Sequence, residues 1–380
     1  MPDDLSVLKE PVYETALNDL DDLLTQSGKA FLIGAGCSKC AGLPLTAELT
    51  SKSLASSALD ATTKTILAAI QAQFAGATAS NIEDYLSELV DLLAIAERRE
   101  NRSATCNTAV LAGKDYSGDQ LKAAVNQIKR AIAEVVDTDV SMEVHWNFIK
   151  AVHRPPRPGR SAPARPVDYL ILNYDTLIES ALALEKVRYA DGMSGGNSAW
   201  WDTTSFCAEG LAARVLKLHG SIDWSEIPED PLPRRIAKNV KLPTGKDQKV
   251  MIWPASTKYR ETQRDPYAQL AELTRRILHP QNGSQTVLAV CGYSFGDSHI
   301  NLEIERALRE SGGELTLVVF SADDAPVGEL KRLHENKALT EQVRVYAKNG
   351  FFHGTTQAKS TVDLPWWKFE NLTRLLGGER

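Results

Sequence analysis

Cysteine is scarce in this chain, and what there is has no pattern. Five occur in 380 residues, and only Cys37 and Cys40 lie close together. A structural zinc site needs four thiolate or imidazole ligands, typically as paired C-x2–4-C elements, so no such module can be built. Few, unpatterned cysteines fit a reducing compartment. Excess basic charge is also absent. The formal net charge is −6, which gives no bulk attraction to nucleic acid or to an anionic membrane. No apolar stretch is long enough to span a bilayer. The start, Met1-Pro2-Asp3-Asp4, is acidic and lacks the apolar run of a signal peptide, so the expected location is cytoplasmic. Several catalytic signatures are missing as well. There is no His-Glu-x-x-His and no Gly-x-Ser-x-Gly, and Thr244-Gly245-Lys246 lacks the upstream glycine of a P-loop ATPase.

What is present is a set of apolar strands that each break into small or polar residues. Ala30-Phe31-Leu32-Ile33 runs into Gly34-Ala35-Gly36-Cys37-Ser38 and then Gly42-Leu43-Pro44. A strand that breaks into glycines before a helix is how α/β proteins hold a pyrophosphate, because the missing side chains let the backbone approach. The spacing is not that of an ordinary dehydrogenase. Lys39 stands where a third glycine is wanted, and Ser51 to Lys64 reads as helix where a second strand with its ribose-binding acid belongs. Three further segments repeat the architecture. Val167 to Leu172 precedes Asn173-Tyr174-Asp175, Ala213 to Leu218 precedes His219-Gly220-Ser221, and Thr286 to Val290 precedes Gly292-Tyr293-Ser294-Phe295-Gly296-Asp297. In open parallel sheets, ligands bind outside the carboxyl ends of the strands, so the four endings are aimed at one crevice.

These motifs, in this order, resemble the sirtuin family. Gly34 to Ser38 with Ala41-Gly42-Leu43-Pro44 is similar to the sirtuin NAD-binding loop. Asn173-Tyr174-Asp175 is similar to its Gln-Asn-Ile-Asp motif with Leu172 in the glutamine position, His219-Gly220 to the catalytic His-Gly, and Gly292-Tyr293-Ser294 to its Gly-Thr-Ser loop. The likeness is closest to the divergent sirtuin-like domains of prokaryotic anti-phage systems. Deacylating sirtuins carry Asp-Phe-Arg where this chain has Leu45-Thr46-Ala47, and a zinc module after the histidine where this chain has one cysteine, Cys291. The acetyl-lysine cleft lies against that module, so its absence counts against deacylation.

The expected fold is a sirtuin-like, Rossmann-type doubly wound parallel sheet with a helical insertion and no zinc module. Residues 1–27 hold an N-terminal helix from Pro11 to Gln26, with Leu17, Leu20, Leu23 and Leu24 on one face. Residues 28–50 and 165–350 form the NAD-binding core, and 51–152 the insertion, in which Asn81 caps a helix and Ala104 to Gly118 is a loop. Residues 153–166 are a Pro- and Arg-rich linker; nucleic-acid contact is the sharper reading of its arginines and is expected to be indirect or weak. Residues 225–249 read as a polar loop. Residues 351–380 contain an aromatic helix with Trp366, Trp367 and Phe369, either packed on the core or offered to a partner. Composition is average for an intracellular protein of two or three domains.

The resemblance implies NAD+ glycohydrolase activity, releasing nicotinamide and ADP-ribose or a cyclised form, with NAD+ as substrate and no metal. His219 is the candidate base, since a histidine titrates near neutral pH. Asn173 would orient water and ribose through its uncharged amide. Asp175 would accept from the nicotinamide carboxamide or else cap the helix after it. Gly34, Ala35, Gly36, Ser38, Gly42 and Pro44 would hold the pyrophosphate side, and Gly292 and Ser294 the adenosine side. Asp297 would bind a ribose or cap the following helix. Gly36 is expected to leave space for phosphate. Two other classes remain open: an ADP-ribosyl- or deacyl-transferase acting on a protein, and a non-catalytic NAD or ADP-ribose sensor. A Cys37–His219–Asn173 thiol triad is a further, weaker arrangement. No sensor domain is encoded, so gating is expected from assembly, as a homo-oligomer or with a HerA-type ATPase/translocase, in anti-phage defence.

Overall fold

The computed structural model describes residues 3–24, 28–74, 80–102, 105–153, 165–227, 230–237, 240, 249–252, 265–279 and 284–379. Arg154, Arg157 and Arg160 of the Pro/Arg-rich stretch therefore lie outside the described residues, as does Gln26. In chain order, the first elements are α1 (Pro11–Leu24), β1 (Gly28–Ile33), α2 (Thr46–Leu54), α3 (Ala61–Gln73) and α4 (Ile82–Asn101). They are followed by β2 (Thr108–Leu111), β3 (Lys114–Ser117), α5 (Gly118–Val136) and α6 (Glu143–Val152). Next come β4 (Val167–Ile171), α7 (Leu177–Leu184), β5 (Tyr189–Ala190), β6 (Met193–Gly195), β7 (Ala199–Trp201), β8 (Ala213–Lys217), β9 (Gly220–Ile227), β10 (Asp230–Arg235) and β11 (Lys249–Ile252). The chain continues through α8 (Tyr267–Leu278), β12 (Thr286–Cys291), α9 (Ser298–Glu310), β13 (Leu315–Ser321), α10 (Gly328–Glu335), β14 (Val343–Ala347), β15 (Gly350–His353), β16 (Thr356–Lys359) and α11 (Phe369–Leu376).

The main sheet has nine strands in the order β16-β15-β14-β13-β12-β1-β4-β8-β5, parallel from β14 to β5. β1 lies inside the sheet with β4 on one side and β12 on the other, so the winding direction reverses beside it. A strand buried on both faces reads as an unbroken apolar run. Phe31 and Ile33 face a layer made by Leu17 and Leu20 of α1, Phe148 of α6, Ile178 of α7 and Leu372 of α11. Ala30 and Leu32 face the opposite layer, with Leu270 of α8, Ile304 of α9 and Leu330 of α10. This is the expected doubly wound α/β architecture.

Four details differ from the sequence expectation. The stretch Ala104 to Gly118 is not only loop: it contains the hairpin β2–β3, turned by Ala112 and Gly113 at positive φ (49° and 76°). Residues 225–249 contain strands, not just a polar loop; β9 and β10 belong to an antiparallel five-stranded sheet ordered β11-β9-β10-β7-β6. α6 packs in the main-sheet layer with α11 and α7, not with the insertion. The insertion in turn shares its core with Tyr174, Leu177 and Ile252. Among the described residues, no helix is long and apolar enough to cross a membrane.

The aromatic tail faces inward. Trp366 is fully buried, edge-on to Tyr13 (5.6 Å) and Tyr346 (5.3 Å), and its indole donates to Ala347 O at 2.7 Å. Phe369 is buried against Phe148. The Asp3 carboxylate accepts from Lys368 Nζ (2.8 Å) and Asn371 Nδ2 (2.7 Å), clasping the tail to the first residues. Burying a large aromatic with its N–H satisfied is worth several kcal/mol. Trp366→Ala is expected to cost about 3–5 kcal/mol of stability, measured by denaturant unfolding.

Candidate active site

The polar ends of four strands meet because the parallel ladder runs past the strands themselves. Gly34 N donates to Cys291 O (2.9 Å), Leu172 N to Ile33 O (3.0 Å), and Leu218 N to Ile171 O (2.9 Å). The residues that follow, at 35, 173, 219 and 292, therefore leave the sheet at one level. This is the carboxyl edge at the winding reversal, where doubly wound sheets bind ligands.

Three glycines are fixed here by backbone crossing. A Cβ on Gly34 would lie 2.4 Å from Gly292 O, one on Gly36 2.7 Å from Gly292 Cα, and one on Gly292 2.4 Å from Cys37 N. Gly36 N also donates to Gly292 O at 2.9 Å. The expected open space at Gly36 is thus corrected: the second loop fills it. Within the turn, the Cys37 amide donates to Gly34 O and the Ser38 amide to Ala35 O, whereas the Ala35 amide has no acceptor among the described residues. Gly42 sits exposed at φ 99° and ends the turn, and Pro44 leads on to α2. Ser294 is exposed on the rim.

Asn173, Ser38 and Asp175 form one hydrogen-bonded chain. Asn173 Nδ2 donates to Gly34 O (3.0 Å) and Ser38 Oγ (2.7 Å), and Ser38 Oγ donates to Asp175 Oδ2 (2.7 Å). Asp175 Oδ1 accepts from the Leu177 amide (3.2 Å) at the start of α7. Its carboxylate is committed inside the protein, which corresponds to the capping alternative. With both Nδ2 protons of Asn173 used, the carbonyl oxygen is the atom it presents to a ligand; the amide orientation follows from this network.

His219 lies between two acids. Nε2 is 3.3 Å from Asp297 Oδ2, and Nδ1 is 3.9 Å from Glu83 Oε1. Asp297 caps α9, accepting from His299 N (2.9 Å) and Ile300 N (3.4 Å). Glu83 comes from the first turn of α4, where Asn81 accepts from the Glu83 and Asp84 amides in a capping box. The Tyr174 hydroxyl is 3.5 Å from Glu83 Oε1. Burial pushes the Tyr174 phenol well above its usual value. His219 is 4% exposed and Asn173 9%.

Beneath the site, Lys217 of β8 donates to the Asp175 carbonyl and stands 3.7 Å from Glu179 of α7. Burial pushes the Glu179 carboxyl up to about 7, opposed by Lys217. The sequence carried a sign of this pair: a lysine within an apolar strand and a glutamate within an apolar helix. Glu83 was legible only as a first-turn acid. Burial also raises the Cys37 thiol well above its usual value and the Cys40 thiol to about 12, which disfavours the thiolate that a Cys37–His219–Asn173 triad would use. Among the described residues, no group of three or more His, Cys, Asp or Glu is arranged to hold a metal.

Residues 169–343 match the family model of the SIR2-like domain. No curated protein matches the chain. The SIR2-like match takes in β4, β8, β12 and the loops bearing Asn173, His219 and Gly292, and it supports a sirtuin-like domain with NAD-related chemistry. The glycine turn at 34–38 precedes the matched span, and its contacts with Gly292 bring it to the same edge.

Gly292→Ala, at φ 63° against Cys37 N, is expected to lower the melting temperature far more than Gly42→Ala, which meets nothing within 4 Å. Calorimetry of the pair checks this. The native state holds a proton on Glu179 that the unfolded chain releases near 4.5, so stability should fall as pH rises from about 4.5 to about 7. Glu179→Gln should flatten that slope in melting curves taken across the range.

Proposed function

We propose that the chain is an NAD+ glycohydrolase: NAD+ and water give nicotinamide, ADP-ribose and a proton. The observation that carries this reading is the convergence of His219 and Asn173 at one level of the sheet, beside the crossing of Gly34, Gly36 and Gly292. Nicotinamide leaves as a neutral base from a cationic ring, so departure needs little acid help. What the site must supply is orientation of the incoming hydroxyl and a proton acceptor. Asn173 O accepts from the attacking water or a ribose hydroxyl. His219 takes the proton. Ser38 and Asp175 hold the Asn173 amide in place, and the Ala35 amide meets the pyrophosphate. A cyclised product forms when a hydroxyl of the substrate replaces water.

The burial of His219 and Asn173 favours water over a protein side chain as acceptor, and so favours hydrolysis over transfer to a protein. The histidine and asparagine at the crevice likewise favour catalysis over sensing alone. The loop resemblance supports a finer reading: NAD+ loss in anti-phage defence, gated by self-assembly or by a HerA-type ATPase. The apolar faces of α1, of the insertion and of the tail are largely spent on this chain's own core, so the proposed assembly uses their polar faces.

The test is nicotinamide release from NAD+ alone, with products separated chromatographically. His219→Ala and Asn173→Ala are each expected to lower the rate by roughly a hundredfold or more. Full activity in both variants, or turnover that requires an acylated peptide, overturns the proposal.

A further inference from the structure

The two acids beside His219 are not equivalent. Asp297 Oδ2 is 3.3 Å from Nε2 with both side chains almost fully buried, whereas Glu83 Oε1 is 3.9 Å from Nδ1 and its side chain is 31% exposed. The first is a close ion-pair contact without the alignment of a hydrogen bond, and the second is longer still. Asp297 is also held from several directions. Its other oxygen caps α9, and its amide donates to the Tyr293 hydroxyl at 3.1 Å. That hydroxyl lies 2.8 Å from Asn301 Oδ1, and Asn301 Nδ2 donates to Phe295 O at 2.7 Å. Phe295 has φ 58°, a left-handed conformation that a bulky residue rarely adopts. The loop is therefore braced at its strained residue, and the carboxylate that ends it cannot swing away from the imidazole without uncapping a thirteen-residue helix.

We propose that Asp297 is the positioning residue of His219: its charge beside Nε2 favours the tautomer that keeps the proton on Nε2, and so leaves Nδ1, on the Glu83 side, as the basic nitrogen. A neutral imidazole carries one N–H, so a carboxylate at one nitrogen assigns the acceptor role to the other. The proposal rests on His219 acting as the base in the hydrolysis proposed above. Among the described residues, the charged and titratable groups around the ring include Asp297 from the start of α9 and Glu83 from α4, with the phenols of Tyr174 and Tyr293 beyond them. Burial pushes both phenols up, so they stay neutral through the working pH range.

Asp297→Asn separates the two jobs of this side chain, because asparagine caps a helix as well as aspartate but carries no charge. The variant is expected to melt close to the parent. Its kcat for nicotinamide release should fall roughly tenfold or more, with KM little changed. Removing an adjacent anion also eases loss of the imidazole proton, so the His219 titration, followed by NMR of histidine-labelled protein, should move to lower pH, as should the acid limb of the rate profile. Asp297→Ser, another capping side chain, gives the same comparison if the asparagine variant misfolds. An unchanged His219 titration and unchanged kcat overturn the proposal and leave Asp297 a helix cap only. A parent that releases no nicotinamide overturns the hydrolase reading instead, and the NMR titration still decides whether Asp297 is coupled to His219.

Discussion

The crossing of two loops without side chains governs this site. Gly34 and Gly36 after β1 and Gly292 after β12 touch backbone to backbone, closer than any Cβ allows. That contact brings the turn carrying Ser38 against β4, where Asn173 binds both Gly34 O and Ser38 Oγ. It also starts the loop that carries Asp297 to His219. A larger residue at any of the three positions would separate the β1 and β12 ends, and the two halves of the crevice would no longer share a wall.

The site is built from two networks. One is buried and hydrogen-bonded: Asn173, Ser38 and Asp175, with Lys217 beneath. The other is imidazole and carboxylates: His219, Asp297 and Glu83. Tyr174, between Asn173 and Asp175 in sequence, reaches toward Glu83, and its carbonyl accepts from Ile222 N at 3.0 Å just after His219-Gly220. The β4 loop is thus stapled to the β8–β9 turn. Glu179, kept protonated by burial, leaves the buried Lys217 ammonium to find its partner in a backbone carbonyl. Lys217 donates to the Asp175 carbonyl from below, which ties the asparagine loop to β8.

The parallel strands were legible because central strands of such a sheet are apolar on both faces, and the residues after them were legible because loops at that edge carry function. The hairpin at 108–117 was obscured by brevity: four-residue strands leave too little alternation, and its turn uses Ala112-Gly113, not Asn-Gly. β10 was hidden by its prolines and arginines, Asp230-Pro231-Leu232-Pro233-Arg234-Arg235, which read as loop. Glu83 belonged to no motif, since its partner His219 is more than a hundred residues away and the helix between them revealed only its own capping. Asp297 was visible as a cap, but its second oxygen acquires meaning only once β12 lies beside β1.

The order in which those strands are made has a consequence for how the chain is produced. β1 is an interior strand and the earliest in chain order of the strands in its sheet, yet its neighbours are β4, beginning at Val167, and β12, beginning at Thr286. Both of its hydrogen-bonding edges stay unsatisfied while the intervening chain is synthesised. An apolar strand with open edges is a template for intermolecular pairing. The insertion, whose contacts are mostly local, has time to fold in that interval, and α2 follows directly from the glycine turn at the end of β1. Its early folding would shelter one end of the waiting strand, which gives the helical block a role in biogenesis as well as in shaping the crevice.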